Sequence, residues 1–199
     1  MKNLIYTCVA LLFATLLLSV MPTEAEAMIY EDTLRLHILA PSDSAEDQAV
    51  KLKIRDLVLE KYGERLSRCE NISAAEGCVG ELLTEIEESV CGWLSELGYG
   101  YGAEVTLGEE WYDTREYEGF TLPKGTYTSL RIILGKGEGK NWWCVMYPPL
   151  CLEASTEPAP ADDALLGYTK EETRLINSGK YNVKFKLLEI FSEAFARNR

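Results

Sequence analysis

The sequence predicts an α+β domain: a mostly antiparallel sheet, two long helices and a C-terminal helix, all following an N-terminal signal peptide. Three observations carry this. Short runs around 34–40, 103–107, 127–134 and 142–147 alternate or are rich in β-formers, as half-buried strands are. Two long stretches, 50–58 and 79–97, repeat apolar residues at helical spacing. The chain opens with Lys2, an apolar run from Leu4 to Val20 and Ala25-Glu26-Ala27, which together make a secretory signal with a cleavage site after Ala27. The rival is an uncleaved N-terminal anchor, since the apolar run is nearly long enough to span a bilayer. Residues 28–199 then form a single domain.

Leu34, Leu36, Ile38 and Ala40 alternate with Arg35, His37 and Leu39, giving a strand with one apolar face and His37 on the other. Pro41-Ser42-Asp43-Ser44 breaks it. Ser44 and Asp47 have capping-box spacing and start a helix whose stripe is Val50, Ile54, Leu57 and Val58, and Gly63 is expected to end it. Asp43, Glu46 and Asp47 suit the positive end of that helix better than a metal. A second capping box, Ser73 to Glu76, opens the most regular helix, with Val79, Leu82, Leu83, Ile86, Val90, Trp93, Leu94 and Leu97 on one face and Gly98 as its stop. Gly80 and Gly92 weaken it by about 1 kcal/mol each relative to Ala.

Ala103, Val105 and Leu107 make the next strand. Glu109 to Gly125 mixes Trp111, Tyr112, Tyr117 and Phe120 with carboxylates, as a surface loop open to a partner would. The alternative is a strand continuing to about Tyr112 and an ordered turn at Pro123-Lys124-Gly125. Tyr127–Leu134 and Trp142–Tyr147 are expected to pair as a hairpin across the glycines at 135, 137 and 139, with Pro148 and Pro149 ending the second strand. Adjacent strand residues face opposite ways, so Trp142 and Trp143 cannot share a face: one packs inward and the other is a candidate for presentation outward. Residues 153–163 are acidic and proline-rich and read as a mobile loop. Leu187, Leu188, Phe191, Ala194 and Phe195 place a helix in the tail.

A formal net charge of −12 argues against nucleic acid as a partner. One histidine and no CxxC pair argue against zinc, and the spaced glycines lack the following helix that a phosphate cradle needs. No cofactor and no small-molecule substrate are implied. Beyond residue 27 the cysteines are Cys69, Cys78, Cys91, Cys144 and Cys151, an odd number. A Cys144–Cys151 disulfide clamping the Tyr147-Pro148-Pro149 turn is the favoured pairing, and Cys69–Cys78 is the second candidate.

The stretch Leu34–Asp56 (LRLHILAPSDSAEDQAVKLKIRD), with Glu116-Tyr117-Glu118-Gly119, Leu122–Tyr127, Leu130-Arg131-Ile132 and Gly135–Cys151, resembles the stage II sporulation protein R family. That family usually has Asn where this chain has Pro41. The resemblance implies a non-enzymatic signal, exported from the forespore into the space between the forespore and mother-cell membranes. There it triggers a membrane-embedded aspartic protease that processes the sigma-E precursor. Contact residues are then expected among Trp142, Trp143, Tyr147, Pro148, Pro149, Tyr117 and Trp111, because aromatic groups dominate interface hot spots. Two other readings are an exported hydrolase or thiol enzyme using His37, Cys91 or the acidic loop, and a passive envelope component.

Overall fold

A computed structural model describes residues 2–20, 24–117, 120–148 and 168–178. The elements are α1 (Lys2–Val20), α2 (Glu24–Glu31), β1 (Leu34–Leu39), α3 (Ala45–Ser67), α4 (Ile72–Glu96), β2 (Ala103–Tyr112), β3 (Arg115–Tyr117), β4 (Phe120–Leu122), β5 (Gly125–Leu134), β6 (Asn141–Tyr147) and α5 (Lys170–Ser178). The fold is α+β, as the patterns require. Pro149, Cys151, the 153–163 loop and the 181–199 helix lie outside the described residues.

The main sheet runs β2-β5-β1-β6, and β3 pairs with β4 in a small separate hairpin. β2 with β5 and β1 with β6 are antiparallel, while β1 with β5 is parallel. The expected β5–β6 hairpin is therefore not formed: β1 lies between its two strands. Leu36 pairs with Leu130 on one side and Cys144 on the other. Leu34, Leu36 and Ile38 on one face of β1, and Arg35 and His37 on the other, are all buried, which favours a central strand over an edge.

The glycine turn is consequently a crossover. Gly135 and Gly137 adopt positive φ, 55° and 65°, which favours glycine. Gly139 packs its Cα against the Ser42 carbonyl and donates its N–H to the Ala40 carbonyl at 2.9 Å. The Lys140 N–H donates to Asp43 Oδ1 at 2.7 Å, and Lys51 Nζ donates to the Lys140 carbonyl at 2.8 Å. Burial in this turn lowers the Lys51 pKa, against the pull of Asp43.

α3 and α4 cover one face of the sheet. Ser44 caps α3 by accepting from the Asp47 N–H, as expected. The helix then runs through Gly63 to Ser67, because Gly63 sits on the buried side between Tyr62 and Leu66 and makes no left-handed turn. Asn71, not Ser73, caps α4, its side chain accepting from the Ala74 N–H at 2.9 Å. Gly98 follows the end of α4 at φ 87°. The core between these helices and the sheet joins Leu34, Leu36 and Ile38 to Ile54, Val58, Val79, Ile86, Val90 and Leu94.

A second layer covers the opposite face. Ile29 of α2, Tyr112, Leu122, Tyr127, Val145, Tyr168 and Ile176 of α5 form its core. The Tyr30 hydroxyl donates to the Lys124 carbonyl at 2.9 Å, and a Cβ at Gly125 would meet the Tyr30 ring at 2.6 Å. α1 differs from both layers: Leu4, Ile5, Val9, Leu11, Leu12, Phe13 and Leu16 are each more than half exposed. Among the described residues no helix is long and apolar enough to cross a membrane.

Candidate contact surface and the polar face beneath it

The second face of the sheet holds charged groups among rings. Arg35 is fully buried, with its guanidinium carbon 4.1 Å from the Tyr112 ring centre and 4.9 Å from that of Tyr127. It also donates through Nη2 to the Tyr117 hydroxyl. Its Nε and Nη1 have no hydrogen-bond partner among the described residues, so the π-faces supply much of its compensation. Burial raises the Tyr117 pKa, and Arg35 and Arg115 oppose that shift.

His37 is held at both ring nitrogens. Nδ1 lies 2.8 Å from Glu110 Oε1, and Nε2 lies 2.9 Å from Asn141 Oδ1. Its ring stacks on Trp143, with centroids 5.5 Å apart. The Tyr112 hydroxyl joins the same network through Glu110, donating to its Oε2 at 3.2 Å and lying 2.7 Å from Ser129 Oγ. A hydrolytic arrangement needs a nucleophile within reach of the imidazole, but here both nitrogens are taken by an acceptor carboxylate and an amide. The network positions strands β1, β2 and β6 relative to one another. Cys91, the candidate thiol, makes contacts with the Ala103 backbone, at 3.3 Å to its nitrogen.

Trp142 and Trp143 do face opposite ways, and both pack. Trp142 joins the helix-side core and lies under the Arg55 guanidinium, 4.5 Å from it, while Trp143 joins the opposite core, with Arg115 3.7 Å from its ring centre. A register shift between Leu34 and Arg35 lets Met146 and Tyr147 both reach the helix-side core. Tyr147 and Pro148 are buried, and the bond joining them is cis. Tyr117 is half-buried and stacks on Phe120, with centroids 4.8 Å apart. The 109–125 segment follows the strand alternative: β2 continues to Tyr112 and the small hairpin comes next.

Trp111 differs from these. It stands near the end of edge strand β2 and is 62% exposed. Its neighbour Glu109 is exposed as well. The sequence grouped Trp111 with six other residues; what separates it is its place on an edge strand beyond the reach of α4, which periodicity alone does not reveal.

The family profile described as stage II sporulation protein R matches residues 30–157. The stage II sporulation protein R of Bacillus subtilis is 34% identical over 124 residues, 62% of this chain and 55% of that protein. The chain therefore matches about half the length of this curated relative. No solved structure matches. The matched segment contains β1, α3, α4 and all the sheet strands described above, and with it the chain belongs to the stage II sporulation protein R family.

Proposed function

We propose that this protein, whose family places it in sporulation, is an exported signal. In this reading it activates a membrane-embedded aspartic protease of the mother cell and so leads to processing of the sigma-E precursor. It acts by protein contact and not by catalysis, from the space between the forespore and mother-cell membranes. The Lys2–Val20 segment with Ala25-Glu26-Ala27 supports export, and the exposed apolar side chains of α1 suit a segment removed from the domain or held outside it. Cleavage after Ala27 would leave Met28 at the N-terminus, with the buried Ile29 next to it.

The observation that carries the contact reading is Trp111, a large ring held exposed on an ordered strand while the other described aromatic candidates are packed at least in part. An exposed Trp on a rigid element lowers the ordering cost of binding. A Cys144–Cys151 disulfide remains part of the proposal as a clamp on the chain after β6. The test is co-expression with the protease and the precursor in a host lacking all three. Cleavage that requires this chain supports the proposal, and cleavage unaffected by its omission overturns it. Turnover of a substrate by this chain alone would point to the enzyme reading instead.

A further inference from the structure

We propose, resting on the contact reading of Trp111, that the second half of β2 is an open sheet edge that accepts an extended, basic segment of a partner protein as a further strand. β2 is the outermost strand of the main sheet, and its register with β5 is unbroken from Ala103 to Tyr112. In an antiparallel pair, successive residues turn their N–H and C=O alternately toward the neighbouring strand and away from it. Bonds to α4 fix which residues of β2 turn away. The Ala103 N–H donates to Cys91 Sγ at 3.3 Å, and the Ala103 carbonyl accepts from the same thiol. The Val105 N–H donates to Glu87 Oε2 at 3.1 Å. The outward residues are therefore the odd-numbered ones. Side chains of α4 engage Ala103 and Val105, and among the described residues nothing partners the outward groups of Leu107, Glu109 and Trp111.

An edge of this kind is a template for strand addition, in which backbone bonds give affinity and alternate side chains give specificity. Leu107 packs against the helix-side core, so Glu109 and Trp111 stand on that same face of β2, where both are exposed. Glu104, Glu109 and Asp113 are exposed carboxylates along the edge. The entering strand therefore carries lysine or arginine opposite Glu109 and an aromatic or apolar side chain opposite Trp111. A second copy of this chain does not suit the edge. Two copies related by a two-fold axis and paired along the open stretch would set Glu109 against Glu109, with a net charge of −12 on each chain. The same charge argues against a nucleic acid.

The test reads backbone amide exchange in the full chain by NMR. The probe is a short peptide, blocked at both ends, with tyrosine, lysine and valine at alternate positions to face Trp111, Glu109 and Leu107, and lysine or threonine between them. Saturating peptide should slow exchange at the Leu107, Glu109 and Trp111 amides by about tenfold or more, leave Val105 unchanged, and do so less well at high salt. The same peptide N-methylated at its tyrosine, lysine and valine nitrogens should lose the effect. Unchanged exchange at the three amides, equal binding of the N-methylated peptide, or slow exchange at these amides without peptide would each overturn the proposal. So would slowing that depends on protein concentration alone, the mark of a second copy. In the co-expression assay Glu109→Pro removes an outward N–H and leaves the ladder to β5 intact, as proline on an edge strand can. It should abolish precursor cleavage while unfolding near the wild-type temperature, and Glu109→Ala, which keeps the N–H, should lose less. Cleavage that requires this chain but ignores Glu109→Pro overturns the edge and leaves the signalling reading standing. Cleavage that never requires this chain overturns the signalling reading, and the exchange measurement then decides the edge.

Discussion

Arg115 places its guanidinium 3.7 Å from the centre of the Trp143 ring, binding the small β3–β4 hairpin to strand β6. The same ring stacks on His37. Trp143 thus joins three parts of the polar face, and its loss is a loss of packing.

The first prediction separates packing from contact. Trp143→Ala should destabilise the fold by about 3–5 kcal/mol, the range for truncating a packed aromatic residue. Trp111→Ala should stay within about 0.5 kcal/mol, as exposed substitutions do, while strongly reducing precursor cleavage. Chemical denaturation and the co-expression assay, run on both variants, check this. Wild-type cleavage by a normally folded Trp111→Ala protein would remove Trp111 from the contact surface.

Glycines in two settings should respond with opposite signs. Gly139→Ala drives a methyl group into the Ser42 carbonyl and should cost about 1–3 kcal/mol, an overpacking penalty. Gly80→Ala in α4 meets nothing within 4 Å and should stabilise by up to about 1 kcal/mol through helix propensity. Urea midpoints of the two variants are the readout.

Alkaline pH should unfold the protein through its buried tyrosines. Burial raises the pKa of Tyr112, Tyr117, Tyr147 and Tyr168, so the folded state retains these protons where the unfolded state releases them. Their contribution is fully present below the ordinary tyrosine pKa of about 10 and is lost as pH climbs above it. Thermal unfolding recorded across this range should fall steadily, with phenolate absorbance appearing together with unfolding. Tyr112→Phe should make the fall shallower.

The position of the N-terminus should matter to within a few residues. A chain beginning at Met28 keeps Ile29 buried and the Tyr30–Lys124 bond, and should unfold like the parent domain. One beginning at Asp32 loses both and should be weaker by about 2–5 kcal/mol, the cost of removing a buried aliphatic side chain. Comparing the two melts, and sequencing the N-terminus of exported protein, checks the Ala27 cleavage site.

Local signals in the sequence were legible where the determining neighbours were close in the chain. Ser44, the α4 stripe, Gly98 and the opposed Trp142 and Trp143 all follow from spacing of a few residues. The start of α4 was misplaced because Asn71 and Ser73 are both good caps, and only the backbone turn chooses between them. The β5–β6 hairpin failed for a longer-range reason. Two strands separated by glycines look like neighbours, and nothing near them indicates that a strand about a hundred residues earlier comes between. Arg35 and His37 fall on the face opposite the apolar one by alternation, but what covers that face is not legible locally, because the layer comes from α2, α5 and β3–β4, segments with little periodic signal. Trp111 was one candidate of seven until the edge position of β2 singled it out.

The central place of β1 has a kinetic consequence. Its partners in the sheet, Thr128–Ile133 and Asn141–Tyr147, are among the last parts of the described sheet to emerge from a ribosome or a translocation channel. Closing such distant pairings carries a large loop-closure cost, so high contact order makes the sheet slow to form. A chain threaded outward from its N-terminus would therefore travel with β1 unpartnered and the sheet unassembled. The topology itself would keep the polypeptide loose enough to be threaded, and the finished surface would first exist on the far side.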